Sequence, residues 1–231
     1  MPDQQNQSLI SIIIPTLNEE RNIARLLDSL QSLAGVEIIV CDGGSTDATL
    51  KICRGFPVRV LSSQAGRGIQ LNAGAQSAQG EIFLFLHADS MLENRILDDI
   101  RNAVNQGNCW GCCTLGFNEK NLLFFCIACL SNLRAKVFSS CYGDQGIFCQ
   151  RDLFRRNGGF PETIFLEDII FSHRLRRQQR ARVVEGMIIT STRRFRKAGV
   201  WRTIGKMQLI KILYAIGIKP EQLWRWFKYA G

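Results

Sequence analysis

Four acidic residues stand where this chain is expected to do chemistry. Asp42 and Asp89 each follow a β-branched, apolar run that reads as a strand. From such a place the first could contact a nucleotide and the second a divalent cation, because a metal on a diphosphate takes only one or two protein carboxylates. Either one alone is an ordinary turn residue; two at one sheet edge point to a ligand. Glu167 and Asp168 open a predicted helix. An acid there complements the helix dipole, and its chemical use is as a general base taking a proton from a hydroxyl.

The remaining polar groups read less sharply. His87 lies two residues before Asp89 and is first a polar residue at a strand end. Arg67 sits in Gly66-Arg67-Gly68, too short for a phosphate loop and without its lysine, yet within reach of a phosphate. Arg193 and Arg194 begin a run through Lys197 that follows a predicted strand, and guanidinium groups suit bidentate binding of a diphosphate. Two Cys-x-x-Cys pairs, Cys109/Cys112 and Cys126/Cys129, have roughly zinc-site spacing. The second pair lies in the apolar run 122–130, so the cysteines read as small buried hydrophobes instead.

The elements that position these groups alternate. Strands are expected at 9–14 (stopped by Pro15), 36–41, 58–61 and 82–86. Between them, Asn18 is expected to cap a helix through 33, Ser45 to cap one over 46–53, and a third helix to cover 68–78. Continuous apolar strands alternating with helices mean a mostly parallel sheet covered on both faces, an α/β three-layer fold. In such sheets ligands bind beyond the carboxyl ends of the strands. Further on, a helix is expected at 122–137, a turn at 143–146, a strand at 147–149, a loop at 158–161, a helix from 167 to 177, a strand at 187–190 and two helices in the tail. The chain divides into a polar segment 1–7, one domain over 8–198, and basic, aromatic-rich helices over 199–231.

Composition narrows the partners. The chain has 231 residues, 46% hydrophobic and 21% charged, which excludes disorder. Its formal net charge of +9 is uneven. Residues 1–170 hold 14 Lys and Arg against 18 Asp and Glu, and residues 171–231 hold 15 against 2. The basic end calls for an anionic partner; without nucleic-acid signatures, that is a phosphate-bearing small molecule or a membrane surface. Trp201, Trp224 and Trp226 lie among the tail's lysines and arginines, a composition suited to an interfacial helix or equally to one whose apolar stretch 209–218 packs on the domain or a partner. No apolar run is long enough to span a bilayer, the start has no signal-peptide pattern, and the cysteine count is odd, so a cytoplasmic protein, peripheral on the inner membrane face, is expected.

Taken together, the motifs Pro15-Thr16-Leu17-Asn18-Glu19-Glu20, Asp42-Gly43-Gly44-Ser45-Thr46-Asp47, His87-Ala88-Asp89-Ser90 and Glu167-Asp168 resemble, in order, those of the family 2 glycosyltransferases. The Leu86-to-Asp89 form, Gly143-Asp144-Gln145 and Gly158-Gly159-Phe160-Pro161 are similar to the radical-SAM/selenodomain-associated transferase 2 subgroup. The resemblance implies a GT-A fold, a nucleotide-diphosphate-sugar donor and a divalent metal, Mn²⁺ or Mg²⁺. It implies that Pro15, Thr16, Asn18, Glu19, Asp42 and Gly43 line the donor nucleotide, that Asp89 holds the metal, and that Gly143, Asp144 and Gln145 face the sugar or acceptor. It makes Asp168 the base of an inverting transfer, with Glu167 beside it. His87 stands where most of the family has a carboxylate, which makes it the second candidate ligand of that metal, and imidazole suits Mn²⁺ better than Mg²⁺. A sugar nucleotidyltransferase and a non-catalytic, membrane-surface nucleotide-sugar-binding protein remain the alternatives.

Overall fold

The computed structural model describes residues 8–163 and 165–228, apart from the side chains of Arg194, Lys197, Phe227 and Lys228. The segment 1–7 lies outside the described residues. Eight strands form one sheet: β1 (Ile10–Thr16), β2 (Val36–Asp42), β3 (Arg59–Ser62), β4 (Ile82–Phe85), β5 (Met91–Leu92), β6 (Trp110–Phe117), β7 (Ile147–Gln150) and β8 (Arg182–Thr190). Their order is β3-β2-β1-β4-β7-β6-β8-β5. The first half, β3-β2-β1-β4, is parallel. Beyond it, β4 and β6 run antiparallel to β7, β8 is parallel to β6 and β5 antiparallel to β8. The sheet is therefore mixed.

Alternation along β1 divides the core in two. Ile10, Ile12 and Ile14 pack with α1 (Ile23–Leu30) and α4 (Ile96–Asn105). Ile13 faces the other way, toward α3 (Arg67–Ser77), α6 (Arg151–Arg156) and α7 (Glu167–Leu175). Side chains of successive strand residues point to opposite faces, so the sheet is covered on both, giving three layers. The chain leaves β1 for β2 on one side and returns as β4 on the other. The switch point, where such sheets bind ligands, thus lies between the ends of β1 and β4.

Several local expectations are corrected. β1 does not stop at Pro15 but runs through it to Thr16, with Pro15 paired to Cys41. The β4 ladder ends at Ile13, so Pro15 has a strand on one side only, a place that tolerates a missing N–H. Neither Asn18 nor Ser45 caps a helix. α1 starts at Ile23, and the next helix, α2, spans Thr49–Cys53. β5, α4, β6 and α6 had no sequence counterpart, and β8 extends five residues before its expected start.

Helix α5 (Leu122–Phe138) also departs from expectation. It packs on β6 through Phe124, Ala128 and Ala135, while Asn132 clasps the strand by accepting from Leu115 N and donating to Leu115 O. Its outer face is apolar as well. Leu122 (77%), Phe125 (66%), Leu130 (67%) and Leu133 (55%) are exposed, as are Cys126 and Cys129. The second cysteine pair is thus not buried. All described cysteines are free, and no group of three or more metal-ligating side chains gathers among the described residues. After α8 (Arg193–Ala198) come α9 (Val200–Ala215) and α10 (Pro220–Lys228). Ile210 and Leu223 join Leu166 and Ile169 in a small separate core. Among the described residues, no helix is long and apolar enough to cross a membrane.

Candidate active site

The loops after β1 and β2 are laced together by the motif residues themselves. Asn18 takes a left-handed conformation (φ 56°), which its short polar side chain tolerates. Its N–H donates to Ser45 Oγ, and its Oδ1 accepts from Thr46 N. Glu19 N donates to Thr49 Oγ1, Glu20 N to Asp47 Oδ2, and Glu20 Oε2 accepts from Ala48 N. The Glu19 carboxylate accepts from Asn22 Nδ2. Asp42 is 1% exposed. It accepts from Gly44 N, Ser45 N, Ser45 Oγ and Thr16 Oγ1.

Four donors fill the acceptor positions of a carboxylate. Asp42, expected to touch the base or ribose, therefore fixes its own turn, and a direct nucleotide contact requires a donor such as the Ser45 hydroxyl to swing away. Likewise the Asn18 side chain holds the backbone of the second loop, while those of Glu19 and Thr16 are engaged by the side chains of Asn22 and Asp42. Pro15 and Gly43 contribute position, and Gly43 N donates to Thr16 O. Gln70, which the sequence reading missed, joins the strand ends from below: its Nε2 donates to both Thr16 O and Cys41 O. Its signal was a lone amide on the otherwise small and apolar inner face of α3.

Beside this platform, at the end of β4, five expected residues converge. A small crevice of about 10 Å³ is bounded by Arg67, His87, Gly143, Glu167 and Asp168. Asp168 Oδ2 accepts from Gly143 N at 2.8 Å, and its Oδ1 from Ile169 N at 2.7 Å. A Cβ on Gly143 would fall 2.7 Å from His87 Nε2 and 3.4 Å from Asp168 Oδ2, so a side chain there would have to push the His87 ring aside. Buried Glu167 pairs with Arg67 at 2.8 Å. Burial pushes the Glu167 carboxyl up, the charge of Asp168 adds to this, and Arg67 opposes both. Arg67 stays 48% exposed and holds Glu167 through one nitrogen, leaving N–H groups for an anion. Gly68 brings α3 close to the 158–161 loop, since a Cβ there would lie 2.4 Å from Pro161 O. Asn72, also missed, exchanges two hydrogen bonds with the Phe160 backbone.

The 3-10 turn Gly143–Gln145 is held from α5. Arg134 Nη2 donates to Gln145 Oε1 and Arg134 Nε to Ser140 O, and its guanidinium lies 3.4 Å from the centroid of the Tyr142 ring. Gln145 is fully buried and so does not face a sugar. It anchors the turn. Burial pushes the Asp144 carboxyl up, Arg134 opposes this, and Asp168 adds to it. Asp144 Oδ1 is buried without a hydrogen bond.

The remaining expected residues stand apart. Arg193 is exposed at the start of α8, which packs through Phe195 on Phe117 and Phe124. No hydrogen bond or ion pair links it to the crevice among the described residues. The Arg194 side chain lies outside the described set. Asp89 is half-buried and accepts no hydrogen bond among the described residues. A metal needing one protein carboxylate and a diphosphate fits that donor set. His87 packs against Gly143 instead of standing open.

Comparison with known proteins gives this arrangement a context. A PGL/p-HBAD biosynthesis glycosyltransferase of Mycobacterium bovis is 37% identical over 93 residues, covering 36% of this chain and 36% of that protein. The poly(ribitol-phosphate) beta-N-acetylglucosaminyltransferase TarS of Staphylococcus aureus is 31% identical over 100 residues, covering 38% of this chain and 18% of TarS. The chain therefore spans only a minor part of these curated relatives. Among solved structures, S. aureus TarS 1–349 in complex with UDP-GlcNAc superimposes with a TM-score of 0.64 at 22% identity, over 79% of this chain and 58% of that one. The mannosyltransferase PcManGT of Pyrobaculum calidifontis in complex with GDP-Man and Mn2+ gives 0.66 at 20%, over 97% and 69%. At these identities the likeness is one of fold, the GT-A fold of glycosyltransferases. The family model Glycosyl transferase family 2 matches residues 11–136, more than half of the chain, and the protein belongs to that family.

Proposed function

We propose that the protein transfers a sugar from a nucleotide-diphosphate donor to an acceptor hydroxyl, with inversion, using residues 8–198 as the catalytic unit. The observation that carries this is the Asp168 carboxylate, fixed by the Gly143 N–H beside His87 and the Arg67–Glu167 pair, at the switch point of the sheet. Family membership supports the reaction class. Neighbours holding UDP-GlcNAc and GDP-Man support the donor class.

In this reading the laced loops form a rigid shelf for the nucleotide, already ordered before binding, which lowers the entropy cost of association. Asp168 takes the acceptor proton as the hydroxyl attacks the anomeric carbon. Both carboxylate oxygens keep a lone pair beyond the one their N–H partner uses, so the group is oriented without being blocked. Glu167 holds Arg67 close to the departing diphosphate, whose growing negative charge the free guanidinium N–H groups meet. A divalent metal on Asp89 would supply Lewis-acid neutralisation of that leaving group.

The outer face of α5 and the tail fit an anionic membrane surface on the cytoplasmic side. Of the twelve large apolar side chains that stand exposed among the described residues, eleven lie on α5 or beyond residue 200. Neither α5 nor α9 contains an acidic residue. A second copy would bring like charge to like charge, whereas anionic lipid complements it.

Incubation with a panel of sugar nucleotides, with and without Mn²⁺, tests the reading. Slow release of nucleoside diphosphate is expected. Pyrophosphate exchange in its place would support a nucleotidyltransferase, and neither reaction would support a binding protein.

A further inference from the structure

A cavity of about 640 Å³ opens between α7, Tyr142 and the tail helices. Two of its wall residues adjoin the crevice along the chain: Tyr142 precedes Gly143, and Ile169 follows Asp168. Three cations line it, Arg176, Lys211 and Lys219, together with apolar side chains such as Ile218, and no carboxylate does. None of the three cations has an ion-pair partner among the described residues.

Lys211 is the best placed of them. It is half-buried, and its ammonium lies 4.6 Å from the centroid of the Tyr142 ring. Burial and the nearby Arg134 push its pKa down to about 8, while Asp144 and Asp168 oppose them, so it is within electrostatic reach of the crevice. The pKa of His173, also in the wall, is pushed down by burial and by Arg176 and Arg177. Arg176 and Lys219 are exposed and Lys211 is half-buried, so the three like charges converge on one opening that an anion would neutralise. A strongly hydrated sugar would gain little from the apolar part of that wall.

We propose that this cavity binds the acceptor, and that the acceptor carries a phosphate group beside an apolar portion. The transferase reading is needed only for naming this ligand the acceptor.

Octyl phosphate, used below its micelle-forming concentration, is the probe, titrated calorimetrically into the full chain beside glycerol 3-phosphate and inorganic phosphate. Octyl phosphate should bind at least tenfold more tightly than either. Lys211→Gln and Arg176→Gln should each weaken it about tenfold, the scale of one charged hydrogen bond, while Lys211→Arg should restore it. Thermal melts of each variant check that it is folded. Absent binding of octyl phosphate, or unchanged binding in both Gln variants, would overturn the proposal. Equal binding of glycerol 3-phosphate would overturn the apolar portion. Nucleoside diphosphate titrated into the wild-type protein tests the transferase reading separately, because its binding does not depend on this cavity.

Discussion

Asp42 shows how a motif residue can be chemical in type and architectural in place. Removing its carboxylate takes the shared acceptor from the Gly44 and Ser45 N–H groups and from the Thr16 and Ser45 hydroxyls. Asp42→Ala should therefore lower unfolding stability by about 2–4 kcal/mol, measured by urea denaturation. A loss of nucleotide affinity without a loss of stability would return Asp42 to direct donor contact. Asp89 is the opposite case, a carboxylate with no hydrogen-bonded partner among the described residues. Asp89→Ala should leave stability within about 0.5 kcal/mol and abolish the metal dependence of nucleoside-diphosphate binding in calorimetry, and His87→Ala should do much less to that dependence. Lys211 gives a pH signature. Faced by Arg134 of α5, Asp144 of the turn and Asp168 of α7, it loses its proton near pH 8 in the free protein. Since the phosphate needs the charged ammonium, octyl phosphate affinity should hold up to about pH 8 and fall above it, and a flat profile to pH 9.5 would remove Lys211 from that contact.

At the scale of elements, α5 joins two roles. Its inner side holds the Gly143–Gln145 turn through Arg134 and β6 through Asn132. Its outer side is the larger exposed apolar face. Contiguous exposed patches of this kind mark interaction surfaces. The protein should float with anionic vesicles at low salt, and Phe125→Asp with Leu130→Asp should release it. Failure to float, together with a dimer in light scattering, would assign the face to a second copy. Elements of this kind also mark the limits of the sequence. The parallel half was legible because β1, β2 and β4 are buried on both faces and read as apolar runs. β6 was not, because Gly111, Cys112, Cys113 and Gly116 carry no strand signal, and β5 is two residues long. The helix starts after β1 and β2 were misjudged because Asn18 and Ser45 bond to each other's loops across 27 residues, and local spacing carries no trace of such a bond. The crevice residues were readable as types. What they share, the Gly143 N–H on Asp168 and the Arg67–Glu167 pair, joins residues 25 and 100 apart.

At the scale of the molecule, the parallel half of the sheet and the mixed half meet at one edge. The parallel half supplies the shelf and the shared end of β1 and β4. The later half supplies α7 with its carboxylates, the turn that holds Asp168, and the cationic cavity next to it. Along the sequence, the acid-rich portion 1–170 supplies Asp42, Asp89, Glu167 and Asp168, and the basic portion supplies Arg176, Lys211 and Lys219 of the cavity. The central claim is that Asp168 is the base for transfer from a sugar nucleotide. It is tested most directly by measuring turnover and donor affinity of Asp168→Asn beside wild type, with the donor and acceptor that support activity. The substitution keeps the shape and removes the basicity. Transfer should fall by about 10²–10⁴-fold while donor affinity stays within about twofold. Turnover near wild type would contradict the assignment.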